Sequence, residues 1–168
     1  MSQSILLTSF DIWKPHHVSN SSDDLVAELL NRNLMPAHVH CLRKLPVDFQ
    51  LAPETVISKI DELQPEMVIC CGMAEQRRLL TAESNGHYEG ETIPTTINVE
   101  GLVKNLTVSS VSHNAGQFVC NFLYYSVLKH LQENHPDRQC LFVHVPVLNE
   151  SNLELILEDF LAILQQVG

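Results

Sequence analysis

The segment Ser112-His113-Asn114-Ala115-Gly116-Gln117-Phe118-Val119-Cys120-Asn121 places a cysteine at the start of an apolar stretch. In that stretch Phe122, Leu123, Val127, Leu128 and Leu131 recur at helical spacing. A cysteine in a first helical turn meets unpaired backbone N–H groups and the positive end of the helix dipole. These favour thiolate over thiol and offer donors to an oxyanion. Such a nucleophile needs a base, and His144, which closes the apolar run Cys140-Leu141-Phe142-Val143, is the best placed of nine histidines. An imidazole there takes the thiol proton and returns it to a leaving amine. Glu83 supplies the carboxylate that would hold the imidazole tautomer and stabilise its charged form. A buried inert thiol and a hydrogen-bonded structural histidine are the plainer readings of the same residues.

These groups need a scaffold, and the chain alternates short apolar runs with amphipathic segments. Ile5-Leu6-Leu7, Val39 to Leu45, Met67 to Cys71, Leu106 to Val111 and Gln139 to His144 read as strands. Residues 24–34, 53–63, 117–133 and 151–165 read as helices, the last capped by Ser151 with Glu154 three residues on. The pattern is that of an α/β layered sheet, with ligands expected where the chain leaves the carboxyl ends of strands after Thr8, Cys71, Val111 and His144. Residues 81–101 carry Asn85-Gly86, Glu89-Gly90 and Ile93-Pro94, and are expected to form an irregular loop over the site.

Composition narrows the function. One domain over residues 1–168 is expected from a chain of this length with 45% hydrophobic residues. Twenty acidic against ten basic residues give a formal charge of −10, which argues against nucleic acid as a partner. The start of the chain has no basic leader and only a short apolar run, so no membrane association and a cytoplasmic location are expected. Five cysteines without framework spacing are expected to be reduced thiols, with Cys70 and Cys71 on opposite faces of one strand. His16-His17 and the scattered histidines lack zinc-type spacing, and neither a metal nor a cofactor is expected.

Three separated motifs resemble the pyroglutamyl peptidase I family, the pyrrolidone carboxyl peptidases, a family of cysteine peptidases (family C15). Ser112 to Asn121 is similar to the family's nucleophile signature, and Leu141-Phe142-Val143-His144-Val145-Pro146 to the strand that delivers its histidine. Cys71-Gly72-Met73-Ala74, with Arg77 and then Glu83, has the family's interval between glycine and glutamate. The resemblance implies a three-layer α/β/α sandwich with a mixed, mostly parallel sheet, phosphorylase/hydrolase-like. It implies Cys120 as nucleophile, His144 as general base and acid, Glu83 as the orienting group, and a peptide with N-terminal pyroglutamate as substrate. Phe10 and Trp13 are implied to pack the lactam ring, Met73 to bond it through its main chain, and Asn20 to anchor the first loop. A homo-oligomer, dimer or tetramer, is a further implication. Ile12-Trp13-Lys14-Pro15 replaces the family's Pro-Phe-Gly-Gly turn, Ser84-Asn85 follows Glu83 in place of an arginine, and the segment between Glu83 and Cys120 is short. Two other readings stay open in the sequence: a cysteine hydrolase of another small amide or lactam, and a noncatalytic binding homologue of the same fold.

Overall fold

The computed structural model describes residues 2–168. Its elements follow in the order β1 (Ile5–Phe10), α1 (Ser21–Asn31), β2 (Val39–Leu45), α2 (Leu51–Leu63), β3 (Met67–Met73), β4 (Leu80–Glu83), β5 (Asn85–Tyr88), β6 (Glu91–Pro94), α3 (Val99–Val103), β7 (Ser109–Ser112), α4 (Val119–Asn134), β8 (Gln139–Val145) and α5 (Leu153–Val167). A six-stranded sheet has the order β2-β1-β3-β8-β4-β7, and β5 and β6 form a separate hairpin. Strands β2, β1, β3 and β8 are mutually parallel; β4 runs antiparallel to β8 and parallel to β7. This is the expected mixed, mostly parallel α/β sheet.

The central strands read as unbroken apolar runs because both of their faces are covered. Leu7, Ile69, Cys71, Leu141 and Val143 pack on one face with residues of α1 and α5. Leu6, Val68, Cys70 and Phe142 pack on the other with residues of α2 and α4. Cys70 and Cys71 therefore divide between the two faces, as the period of two requires.

Three local expectations are corrected. Residues 81–101 are not a loop over the site: they begin as sheet strand β4, continue as the β5–β6 hairpin and end in α3. The turn chemistry is real but closes a hairpin, with Glu89 and Gly90 at φ 47° and 81° between the paired residues Tyr88 and Glu91. That hairpin packs against α4, where Asn121 Oδ1 accepts from His87 N (3.0 Å) and Asn121 Nδ2 donates to His87 O (2.7 Å). Strand β7 starts at Ser109 rather than Leu106, because buried Asp159 of α5 accepts from the N–H groups of Thr107 and Val108 at 3.0 and 2.7 Å. Helix α5 starts at Leu153 without a side-chain cap. Ser151 instead donates its N–H and hydroxyl to Asn149 Oδ1 in the preceding turn.

Candidate active site

Strand pairing brings the site together. Gly72 of β3 lies opposite His144 of β8, and on the other side of β8 Glu83 of β4 lies opposite Phe142. Glu83 and His144 are thus diagonal neighbours across an antiparallel pair, within side-chain reach on one face. His144 Nδ1 and Glu83 Oε1 are 2.8 Å apart, with Glu83 at 0% exposure and His144 at 5%.

Burial acts to raise the Glu83 carboxyl pKa. The hydrogen bond to His144 and the charge of that ring when protonated, with further help from Ser112 and Arg77, outweigh burial and hold it below the ordinary carboxylate value. An ionised carboxylate only accepts, so Nδ1 carries the proton and Nε2 is left as the basic nitrogen. Arg77 Nη1 donates to the same Oε1 and to Thr81 Oγ1 (2.7 Å), and its Nη2 donates to Asn114 O (2.8 Å). Arg77 therefore ties the carboxylate to the turn that precedes α4.

Cys120 is the second residue of α4. The preceding turn is set by Gly116, at φ 89°, whose N–H donates to Asn114 Oδ1 (2.9 Å); a side chain is strained in that conformation. Phe118, at the N-cap, makes no side-chain capping bond, so the first-turn N–H groups are free of a side-chain partner. The Cys120 sulfur sits over Gly72: a Cβ built there would lie 2.5 Å from Cys120 Sγ and 2.9 Å from Phe142 Cζ. Glycine at 72 is what lets the sulfur approach the sheet beside His144. On the far side Tyr124 of α4 donates its hydroxyl to Glu83 O (2.9 Å), joining the helix of the thiol to the strand of the carboxylate.

The ionisation of the thiol differs from the sequence expectation. Burial, with the charges of Cys70 and Glu83 adding to it, pushes Cys120 up to about 12. Its backbone hydrogen bond lowers the value by less. The helix start is present as expected, but desolvation outweighs it and the resting group is a thiol.

Cys120 and His144 open into a cavity of about 240 Å³ whose wall also includes Phe10, Trp13, Asn20 and Met73. Every residue singled out for substrate or chemistry in the sequence lines this cavity except Glu83, which stands behind His144. Asn20 Nδ2 donates to Asp11 O in the first loop (3.1 Å) while its Oδ1 accepts from Ser22 N at the start of α1. Trp13 and Phe118 meet across the mouth with ring centroids 6.0 Å apart. Sequence reasoning missed Val47, Phe49 and Phe118 in the wall, and the roles of Arg77, Asn121 and Tyr124. An aromatic residue directly before the cysteine helix was the available signal for Phe118; Val47 and Phe49 arrive on the β2–α2 connection, which no local pattern links to the site.

A layered α/β/α sheet with a thiol at a helix start beside a buried histidine–carboxylate pair defines a hydrolase of the cysteine type. Comparison with known proteins narrows the class. The profile of the pyroglutamyl peptidase family matches residues 3–87 and 89–158, and the chain belongs to that family of cysteine peptidases. A pyrrolidone-carboxylate peptidase 1 of Caldanaerobacter subterraneus is 30% identical over 89% of this chain and 85% of its own length. The pyrrolidone-carboxylate peptidase of Bacillus subtilis is 26% identical over 92% of this chain and 83% of its own. In fold, the chain is similar to pyroglutamyl peptidase I of Bacillus amyloliquefaciens, with TM-score 0.85 and 21% identity over 99% of this chain and 97% of that one. It is likewise similar to the pyrrolidone carboxyl peptidase of Thermococcus litoralis, with TM-score 0.82 and 18% identity over 98% and 93% of the two chains. Among the described residues no helix is long and apolar enough to cross a membrane.

Proposed function

We propose that this chain removes pyroglutamate from the N-terminus of peptides, with Cys120, His144 and Glu83 as its catalytic groups. The observation that carries the reading is the convergence of Cys120 Sγ, Gly72 and the His144–Glu83 pair at one apolar cavity. Family membership supports the substrate class.

His144 Nε2 takes the Cys120 proton as Sγ attacks the pyroglutamyl carbonyl carbon, so charge develops only as the new bond forms. The oxyanion is met by the uncapped N–H groups at the start of α4. Glu83 holds the imidazolium, which then protonates the departing peptide amine as the C–N bond breaks. Water, deprotonated by the same nitrogen, attacks the remaining thioester, releasing pyroglutamate and restoring the thiol.

The cavity suits a neutral five-membered lactam. Phe10 and Trp13 offer apolar surface to its ring. The β1–β3 ladder ends at the Thr8–Cys70 pair, while Ala74 N donates to Val145 O on the β8 side. Alternation along β3 then points the Met73 main-chain groups toward the side where β1 has left, and they supply one donor and one acceptor for the lactam amide. An open-chain glutamate would leave those groups badly paired and bring charge into an apolar wall.

The test is release of a fluorescent amine from pyroglutamyl, prolyl and glutamyl amides at neutral pH under reducing conditions. Turnover of the pyroglutamyl amide alone is expected. Cys120→Ala and His144→Ala should abolish it, and Glu83→Gln should leave a residue. Full activity in either alanine variant ends the assignment of roles, and preference for another amide ends the assignment of substrate.

A further inference from the structure

We propose that His16, His17 and Glu75 form a binding site for a divalent transition-metal ion of the zinc type, which staples the first loop to the segment after β3 at the edge of the active site. Adjacent histidines alone gave no reason to expect a metal; the third donor comes from a different segment and is brought in by the fold. The three candidate ligand atoms lie within 4.8 Å of one another. His17 Nε2 is 2.9 Å from Glu75 Oε1 and His16 Nε2 is 3.1 Å from Glu75 Oε2. For metal–ligand bonds of about 2.1 Å, neighbouring ligands stand about 3.0 Å apart in an octahedron and about 3.4 Å apart in a tetrahedron. Small side-chain movements therefore suffice to receive an ion.

A second observation concerns His17 by itself. Its side chain is only 5% exposed, yet neither ring nitrogen makes a hydrogen bond of normal geometry. The short approach of Nε2 to the carboxylate is thus an approach of two ligand atoms without a well-directed proton between them. Buried polar atoms in this state call for a partner, and a metal lone-pair acceptor satisfies the imidazole where a poorly aligned carboxylate does not. Lys14 Nζ, 3.0 Å from Glu75 Oε1 and 4.7 Å above the Trp13 ring, already places a cation beside this oxygen. A divalent ion with two imidazole ligands displaces that single ammonium.

The location gives the ion a consequence. Trp13 lines the cavity of Cys120 and His144, and Glu75 lines the adjoining groove that also reaches His144. A bound ion fixes the Trp13 loop against the β3 end of the site without touching the reacting groups.

Trp13 is the sole tryptophan and its ring centroid is 6.2 Å from that of His17, so its fluorescence reports occupancy directly. Co²⁺, an open-shell stand-in for Zn²⁺, is titrated into Cys120→Ala protein, which removes the partly buried active-site thiol as a competing ligand. Saturable quenching at one ion per chain, reversed by Zn²⁺, is expected. His16→Ala, an exposed position that does not threaten folding, and Glu75→Gln should each weaken affinity at least about tenfold. Lys14→Met, which removes the competing cation, should tighten it. His130→Ala is the control, because Asp61, His130 and His135 form the other cluster of this kind among the described residues. Absence of saturable quenching up to millimolar Co²⁺ overturns the proposal, as does quenching unchanged by His16→Ala and Glu75→Gln, or abolished by His130→Ala.

Discussion

Replacing Gly72 by alanine adds one methyl group to the protein and tests the geometry of the site directly. The new Cβ would stand 2.5 Å from Cys120 Sγ and 2.9 Å from Phe142 Cζ. Comfortable contact begins at about 3.5 Å, so the sulfur must retreat by about 1 Å. Phe142 is fully buried between Tyr124 and His144, with ring centroids at 5.7 and 4.8 Å, and has little room to yield in its place. A misplacement of about 1 Å between reacting groups costs about a hundredfold in rate, equivalent to about 2.7 kcal/mol of transition-state stabilisation. Overpacking a filled core costs a further 1–3 kcal/mol or so in stability. The assay is kcat/KM on a pyroglutamyl amide, with a melting curve to show that the variant is folded. Gly101→Ala is the control, since the atoms nearest its Cβ belong to the Asn98 side chain, far from Cys120 in the fold. A folded Gly72→Ala enzyme within threefold of the wild type would refute the claim that glycine is what seats the sulfur beside His144.

Arg77→Met removes one of the groups that hold the Glu83 carboxyl below its ordinary value, so the acid limb of the pH–rate profile should move to higher pH. The sign for stability follows in the same direction. A carboxyl depressed in the folded state stabilises the protein above its unfolded pKa of about 4.3 and loses that contribution as pH falls through the lower folded value. Acid unfolding monitored by circular dichroism should therefore begin at higher pH in Arg77→Met, and an unchanged profile would remove Arg77 from the pair's electrostatics. Asn121→Ala deprives His87 N and O of their partners and should lower stability by about 1–3 kcal/mol in urea unfolding; an unchanged midpoint would show that the hairpin is held by apolar contacts alone. Because burial holds Cys120 as a thiol near 12, iodoacetamide should alkylate it slowly at pH 7 without substrate, with a rate that climbs through pH 9. Rapid labelling at neutral pH, measured by mass spectrometry, would show a resting thiolate instead.

Much of this molecule is legible in the linear chain because its signals are local. The apolar runs at Ile5, Met67 and Leu141 specify strands covered on both faces, and they form β1, β3 and β8. The cysteine sits at the start of its helix because a polar turn with Gly116 precedes a strongly periodic segment. Glu83 was offered by the linear chain, and motif resemblance named Phe10, Trp13, Asn20 and Met73, but what they do depends on contacts between distant segments. That β4 turns antiparallel to β8, and so lays Glu83 diagonally against His144, is a matter of sheet order that no local periodicity encodes. The same holds for Gly72, whose missing side chain matters only because a sulfur from α4 descends on it. It holds too for Arg77, which reaches a carboxylate on the neighbouring strand, and for Glu75, which meets two histidines from the first loop. The thiol shows the limit most directly. Its place at a helix start was determined by the sequence, and that alone predicts a lowered pKa. Its burial was decided only by the tertiary structure, and because desolvation outweighs the field of the helix end, the sign of the shift is reversed.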